Sequence, residues 1–247
     1  MRTILVTGGT KGIGKAIALS LAKGSDKIVI NYHADEDSAA EVLEECKKIN
    51  ENVLLIRADV SNESEVNAMI AEIVEKFGAP EIVINNAGMN LDKPLLEMTE
   101  AEWCRVVDVN MKSVFLVSKA AAKHMLVGKS NGHIINISAT TGIAGRKNGI
   151  NYCASKAGVI VMTKCLAKEL GPKVRVNCVI PGITRTSEIE ERFNLKVNEQ
   201  FEVSRRQIPL SRIGEAFEVA NIISFLISEE AAYINGQKII IDGGEYM

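Results

Sequence analysis

Short apolar runs recur along the chain, separated by longer stretches in which apolar residues return at three- and four-residue steps. The runs fall at 4–6, 27–30, 53–56, 82–84, 133–137, 174–179 and 238–241. They are rich in Val and Ile and nearly continuous, the pattern of parallel strands buried on both faces. Between them, residues 36–49 set Ala39, Ala40, Leu43 and Ile49 among Glu and Lys. Residues 62–77 set Val66, Met69, Ile70, Ile73 and Phe77 at helical spacing. Ser61-Asn62-Glu63-Ser64-Glu65 predicts a helix start, with capping side chains first and carboxylates in the first turn. Alternation of strand and helix predicts an α/β Rossmann fold: a doubly wound, seven-stranded parallel sheet with helices on both faces. No Pro/Gly/Ser-rich linker, repeat or low-complexity tract divides residues 1–247, which read as one domain. Ligands of such sheets sit at the carboxyl ends of the strands.

Composition narrows the function classes. Lys and Arg number 29 against 31 Asp and Glu, a formal net charge of −2. That balance lacks the basic excess of a nucleic-acid surface. With 47% hydrophobic and 24% charged residues, the chain is ordinary globular protein rather than disordered. Its five cysteines include no Cys-x-x-Cys pair, so reduced, mostly buried thiols in the cytoplasm are expected. No apolar stretch is long enough to span a membrane, and the first strand meets Thr7-Gly8-Gly9 too soon for a signal peptide. His33, His124 and His133 are scattered, so no metal site is expected. No Gly-x-Ser-x-Gly elbow is present, which removes a serine hydrolase of that type.

The unusual residues collect after the strands. Thr7-Gly8-Gly9-Thr10-Lys11-Gly12-Ile13-Gly14 follows the first strand and opens a helix. Glycines there let the backbone approach a pyrophosphate, and the helix N-terminus offers it free N–H groups. The plain alternative is a glycine turn. The second strand runs into Asn31-Tyr32-His33 with no carboxylate before Asp35, while Lys11 sits in the glycine loop. Neutral-to-basic surroundings favour NADP(H) over NAD(H), provided Asp35, Glu36 and Asp37 stay with the following helix. Asp59 after the third strand is placed to receive an adenine amino group, and Asn85-Asn86-Ala87-Gly88 after the fourth leaves room for adenosine and ribose.

Ser138 ends the fifth strand, and Tyr152 and Lys156 stand four apart, on one face of a helix. A tyrosine ionises near pH 10, and a neighbouring ammonium lowers that value by stabilising the phenolate. The hydroxyl can then exchange a proton with a substrate oxygen that Ser138 also hydrogen-bonds. Alone, Tyr-x-x-x-Lys is a common surface pair; with the glycine loop and the strand-end serine it marks a reaction site.

Over essentially its whole length the chain resembles the short-chain dehydrogenase/reductase family. The resemblance rests on Thr7-Gly8…Gly12-Ile13-Gly14, Asp59, Asn85-Asn86-Ala87-Gly88, Asn110, Ser138, Tyr152…Lys156, Pro181-Gly182 and Asp242-Gly243-Gly244. It implies a Ser138–Tyr152–Lys156–Asn110 catalytic set, with Asn110 holding a water that links Lys156 to solvent. It also implies cofactor contacts at Val60, Pro181, Gly182, Ile183, Thr184 and Thr186 beside the glycine loop, Asn31–His33, Asp59, Asn86–Gly88, Tyr152 and Lys156. Within the family, Asn31-Tyr32, Asn151-Tyr152, residues 207–215 and residues 233–247 are most similar to bacterial 3-oxoacyl-acyl-carrier-protein reductases. That likeness implies NADPH-dependent reduction in fatty acid biosynthesis, with acyl carrier protein as partner and a homotetramer as assembly. The alternatives are the same chemistry on a free sugar, steroid or small ketone, and an inactive cofactor sensor. Loop 139–151, which reads Thr140-Thr141-Gly142-Ile143-Ala144-Gly145-Arg146-Lys147, and residues 186–204 depart from the family pattern. The second segment is expected to form a lid over the substrate. Lys129, Arg146, Lys147 and Lys173 are expected to form a basic rim for the acidic carrier. The apolar positions Met111, Val114, Phe115, Val117, Ala120, Val159, Ile160, Met162 and Thr163 are expected to exceed what one sheet face can cover, leaving an oligomer interface.

Overall fold

The computed structural model describes residues 1–193 and 208–246. Its frame is a seven-stranded parallel sheet ordered β3-β2-β1-β4-β5-β6-β9. The strands are β1 Thr3–Val6, β2 Lys27–Tyr32, β3 Val53–Arg57, β4 Ile82–Asn85, β5 Gly132–Ile137, β6 Val174–Pro181 and β9 Lys238–Ile241. A two-residue ladder of β7 (Thr184–Arg185) and β8 (Gly214–Glu215) stands apart. The order reverses between β1 and β4, which opens a crevice at their carboxyl ends.

The continuous apolar runs are explained by the two cores. On β1, Ile4 and Val6 face one cluster with Ile17, Ile28, Ile30, Ile84 and Leu226, while Leu5 faces the other with Val29, Met69, Ile73, Val83 and Ile134. Helices α1 (Gly12–Ala22), α2 (Glu36–Lys47) and α9 (Ala216–Leu226) supply the first cluster. Helices α3 (Glu63–Phe77), α5 (Ser113–Met125) and α7 (Ile150–Leu170) cover the second face. Each fully buried Ile or Leu contributes about 1.5–3 kcal/mol, so both faces are needed. Buried amides between β4, β5 and the helices satisfy one another. Asn85 Nδ2 donates to Asn136 Oδ1 at 2.8 Å, and Asn136 Nδ2 donates to Thr163 Oγ1 at 2.9 Å.

The expected α3 start is present: Asn62 Oδ1 accepts from Ser64 N and Glu65 N. Ile49 lies beyond the end of α2 and is exposed, so it belongs to no core face. Three short elements had no periodic signal: α4 (Glu100–Val107), α6 (Thr141–Ala144) and α8 (Ser187–Phe193). Between α4 and α5 the chain makes a π-helical turn, Asp108–Lys112, with Asn110 fully buried inside it. Such one-residue insertions turn a side chain out of α-helical phase.

The expected surplus of apolar surface on α5 and α7 is largely used within the chain. Val114, Val117, Ala120, Val159 and Thr163 are all buried; Phe115 and Val161 remain exposed. No helix of the described residues is long and apolar enough to cross a membrane.

Candidate active site

The glycine loop is shaped by close approach. A Cβ on Gly14 would lie 2.2 Å from the Gly8 carbonyl oxygen and 2.6 Å from Asn86 Nδ2, so only glycine fits there. Gly8 itself has φ +59° and packs against Ala87. Asn86 Nδ2 donates to the carbonyls of Thr7 and Gly8 at 3.1 and 3.0 Å, while Thr7 Oγ1 accepts from the Asn86 and Ala87 amides. Thr7 therefore joins the loops after β1 and β4, a role that its place in a glycine motif did not reveal. Among the described residues no side chain caps the N-terminus of α1 at Lys11, so its leading N–H groups are left for a ligand. Thr186 closes over Gly12, whose Cβ would meet its methyl at 3.0 Å.

At the end of β2, Asn31 is buried and holds the glycine loop: its Oδ1 accepts from Gly8 N at 3.3 Å and its Nδ2 donates to Ala58 O at 3.0 Å. Tyr32 is half-buried and His33 is exposed. Lys11 does not stand free: its Nζ is ion-paired with Asp35, which also caps α2 by accepting from Ser38 N at 2.9 Å. The hydrogen bond to Lys11 holds the Asp35 carboxyl down at about 2. Asp35 thus keeps to its helix as expected, yet from the cap position it also places an acid beside Lys11, which the sequence reading did not foresee. Asp59 accepts from Ser61 N and Oγ at 2.9 and 2.7 Å, and buried Val60 follows it.

The later residues converge. Lys156 is almost fully buried, and its Nζ donates to Ile137 O at 3.0 Å. Ser138 Oγ donates to the Lys156 carbonyl at 2.8 Å. These reciprocal bonds fasten the end of β5 to α7. Burial pushes the Lys156 ammonium down to about 8, against an upward pull from Cys178 and Glu188. The Tyr152 ring centroid lies 5.8 Å from Lys156 Nζ. A Cβ on Gly88 would lie 3.4 Å from Lys156 Nζ and 3.3 Å from Asn110 Oδ1, so the loop after β4 meets both residues. Asn110 is tied to that loop and to α7. Its Oδ1 accepts from Met89 N at 2.7 Å, and its Nδ2 donates to Met89 O at 2.9 Å and Ser155 Oγ at 3.2 Å. Pro181 ends β6, and Gly182 and Ile183 lead to Thr184, whose hydroxyl donates to Gly182 O.

The basic rim is corrected. Lys129 and Lys173 lie together before β5 and β6, at the amino end of the sheet, where Lys173 Nζ donates to Lys129 O. Arg146 is drawn inward, bonded to Asn90 and Asp92 and placed over the Tyr152 ring. Of the four, Lys147 is exposed at the site's end of the sheet. The expected lid lies for the most part outside the described residues; those described at its start form α8. Among the described residues no cluster of His, Cys, Asp or Glu could hold a metal ion.

Comparison with known proteins agrees with this geometry. A family described as enoyl-(acyl carrier protein) reductase matches residues 8–245. The chain is 40% identical to a 3-oxoacyl-acyl-carrier-protein reductase of Staphylococcus aureus, covering 100% of this chain and 98% of that one. It is 42% identical to the corresponding reductase of Synechocystis, over 98% of this chain and 96% of that one. It is also 37% identical to glucose 1-dehydrogenase 2 of Bacillus subtilis, over 98% and 94%. A crystal structure of a Brucella melitensis short-chain dehydrogenase/reductase, described as a glucose/ribitol dehydrogenase, superposes with TM-score 0.92 at 30% identity, covering 100% of this chain and 97% of that one. A crevice built on the glycine loop, with Ser138, Tyr152 and Lys156 gathered at its inner end, and full-length likeness to these enzymes lead to one statement: the chain is an oxidoreductase that belongs to the short-chain dehydrogenase/reductase family.

Proposed function

We propose that the protein reduces carrier-linked 3-oxoacyl groups to 3-hydroxyacyl groups with NADP(H), in the cytoplasm, as a step of fatty acid biosynthesis. The observation that carries the chemistry is the meeting of Ser138, Tyr152 and buried Lys156 at the carboxyl ends of the central strands. The substrate class is supported by full-length identity of 40–42% to reductases of that name.

The residues fit a dinucleotide. The α1 N-terminus has unspent N–H donors, Gly8, Gly9 and Gly14 have no room for a Cβ, and the Asn86-Ala87-Gly88 loop is small. When bound, the nicotinamide supplies hydride to the carbonyl carbon. Tyr152 gives its hydroxyl proton to the carbonyl oxygen as negative charge develops there. Lys156 stabilises the phenolate that remains and, with its proton held loosely at about 8, returns one to it. Ser138 turns its hydroxyl from the Lys156 carbonyl to the substrate oxygen. Asn110 keeps a lone pair of Oδ1 for a water between Lys156 and solvent. Lys11, whose side chain is exposed and paired with Asp35, would be the residue to hold a 2′-phosphate, in competition with that carboxylate.

Two apolar areas support assembly as a homotetramer: Phe115 and Val161 on α5 and α7, and Phe217, Phe225 and Tyr233 around α9, Tyr233 being fully exposed. The second reading, a dehydrogenase of a free sugar, is favoured by the likeness to glucose 1-dehydrogenase 2. Purified protein assayed against acyl-carrier-linked 3-oxoacyl groups, a small 3-oxoacyl thioester and glucose, each with both nicotinamide cofactors, separates them. Highest kcat/KM with the carrier-linked substrate and NADPH is expected. Turnover of glucose with neither thioester reduced would overturn the proposal.

A further inference from the structure

Loop 139–151 brings one arginine into the core of the site. The Arg146 guanidinium carbon lies 4.5 Å from the Tyr152 ring centroid, closer than the Lys156 ammonium at 5.8 Å. The group is anchored from the loop after β4: Nη2 donates to Asn90 Oδ1 and, at 2.7 Å, to Asp92 Oδ1. Arg146 and Asp92 are each about four-fifths buried, with side chains 23% and 20% exposed. Arg146 Nε is buried with no hydrogen-bond partner among the described residues. It lies against Gly149, where a Cβ would come within 2.5 Å of it. A surface arginine would keep all its donors in water. This one gives up a donor's partner to stand over an aromatic ring, a placement that a cation–π contact and a neighbouring carboxylate together sustain.

We propose that Arg146 is a positioning residue for Tyr152: held by Asn90 and Asp92, its guanidinium fixes the ring against α7 and keeps a second cation beside the tyrosine hydroxyl's charge. This rests on the reading of Tyr152 as proton donor. Two independent loops, after β4 and after β5, thereby share the placement of one side chain. Among the described residues, the charged groups around the ring are Lys156 on the same helix, Arg146 from the preceding loop and Asp92 behind Arg146. Glu188 of α8 acts on the ring's charge through Lys156, as does the buried Cys178 thiol of β6. A cation favours phenolate over phenol, and a carboxylate beside that cation offsets part of the effect. In the reducing direction the phenol is the active form, so activity falls on the alkaline side as Tyr152 ionises.

The test compares wild type with Arg146→Met, Arg146→Lys, Asp92→Asn and Tyr152→Phe, using acetoacetyl-CoA and NADPH as probes. kcat is followed against pH, NADPH affinity by fluorescence, and folding by thermal melting. Arg146→Met is expected to lower kcat about ten-fold and to move the alkaline limb up by about 0.5–1 pH unit, with NADPH affinity unchanged. Arg146→Lys, which keeps the charge without the fork, should hold the limb near its wild-type position while recovering part of kcat. Asp92→Asn should move the limb down. A fall in kcat for Arg146→Met with an unmoved limb shows support of the loop alone and overturns the proposal. If Arg146→Met does not fold, an unmoved or raised limb in Asp92→Asn overturns it instead. Retained turnover in Tyr152→Phe is a separate failure: it removes the proton-donor reading itself.

Discussion

At the amino ends of the strands, polar groups close on one another. Arg2 grips Asp26 through Nε and Nη2 at 3.1 and 2.7 Å and donates Nη1 to Ile227 O. Asn50 donates to Gly24 O and Asp26 O, and Arg175 donates to Leu226 O and Ile234 O. His133 is the exception there: its Nδ1 has no partner among the described residues, and burial with Arg175 nearby pushes the ring down to about 4. At the carboxyl ends the same kinds of group are held with capacity in reserve. Helices α2, α3 and α4 are capped by Asp35, Asn62 and Thr99, whereas α1 and α7, which frame the crevice, have no side-chain cap. Lys15, on the outer face of α1, meets Glu41 and Glu45; Lys156, inside the site, donates to a single backbone carbonyl among the described residues. The amino end uses its hydrogen bonds to hold the fold, whereas the carboxyl end, beyond the bonds that brace its loops, leaves a helix N-terminus and an ammonium for a ligand. Substitutions at the two ends should therefore fail in different assays.

The sharpest break is Tyr152→Phe. Turnover is expected to fall by about 10²–10⁴-fold while the melting temperature and NADPH affinity stay near wild type. A parallel loss of stability would show that the hydroxyl also supports the fold.

Lys156→Met probes the same end through stability. Because burial lowers the folded-state value to about 8 from 10.5, the folded protein releases this proton first as pH rises. Between those values the unfolded state binds more protons, so the side chain's contribution to stability rises with pH, by at most about 3 kcal/mol. Below about 8 the burial penalty is fully present. Denaturant unfolding of cofactor-free protein at several pH values should show wild type gaining on Lys156→Met across that window. Parallel profiles would mean that burial does not disfavour the ammonium.

Arg175→Met should do the opposite of Tyr152→Phe. Leaving two carbonyls without their donor costs about 2 kcal/mol, read by denaturant unfolding, with kcat/KM unchanged. A loss of turnover at equal stability would deny the division between the two ends.

The smallest effect is expected for Asp35→Asn. Asparagine keeps the α2 cap but releases Lys11 from its ion pair. NADPH should then bind about two- to five-fold more tightly relative to NADH, the scale of one exposed charge pair. An unchanged ratio of dissociation constants would remove Lys11 from cofactor choice.

The sheet was legible because burial on both faces writes unbroken Ile and Val runs, as in Ile82-Val83-Ile84. Ser138, Tyr152 and Lys156 were legible because one strand end and one helix face place them. The Lys11–Asp35 pair was not, since it depends on how the turn after β2 aims a capping carboxylate across 24 positions. Lys129 and Lys173 were assigned to the wrong end although both lie within three residues of a strand's start, and parallel strands put all such positions opposite the site. Arg146 reads as one of two adjacent loop cations; its partners Asn90 and Asp92 come from a loop more than fifty residues away. The π turn at Asn110 leaves no periodic mark because one extra residue is too short to change a hydrophobic pattern.

The reciprocal bonds between Ser138 and Lys156 bear on how this site can be dissected. Each residue contributes its side chain to the other's segment: Ser138 through Oγ to the Lys156 carbonyl, Lys156 through Nζ to the carbonyl of Ile137. Deleting either hydroxyl or ammonium therefore loosens the segment that aims its counterpart. The kinetic cost of Ser138→Ala will contain part of the cost of misplacing Lys156, and the double variant will lose less than the two single variants combined. At this junction, single-residue contributions cannot be read off one substitution at a time; the strand end and the helix turn behave as one unit of exchange in design as well as in mutagenesis.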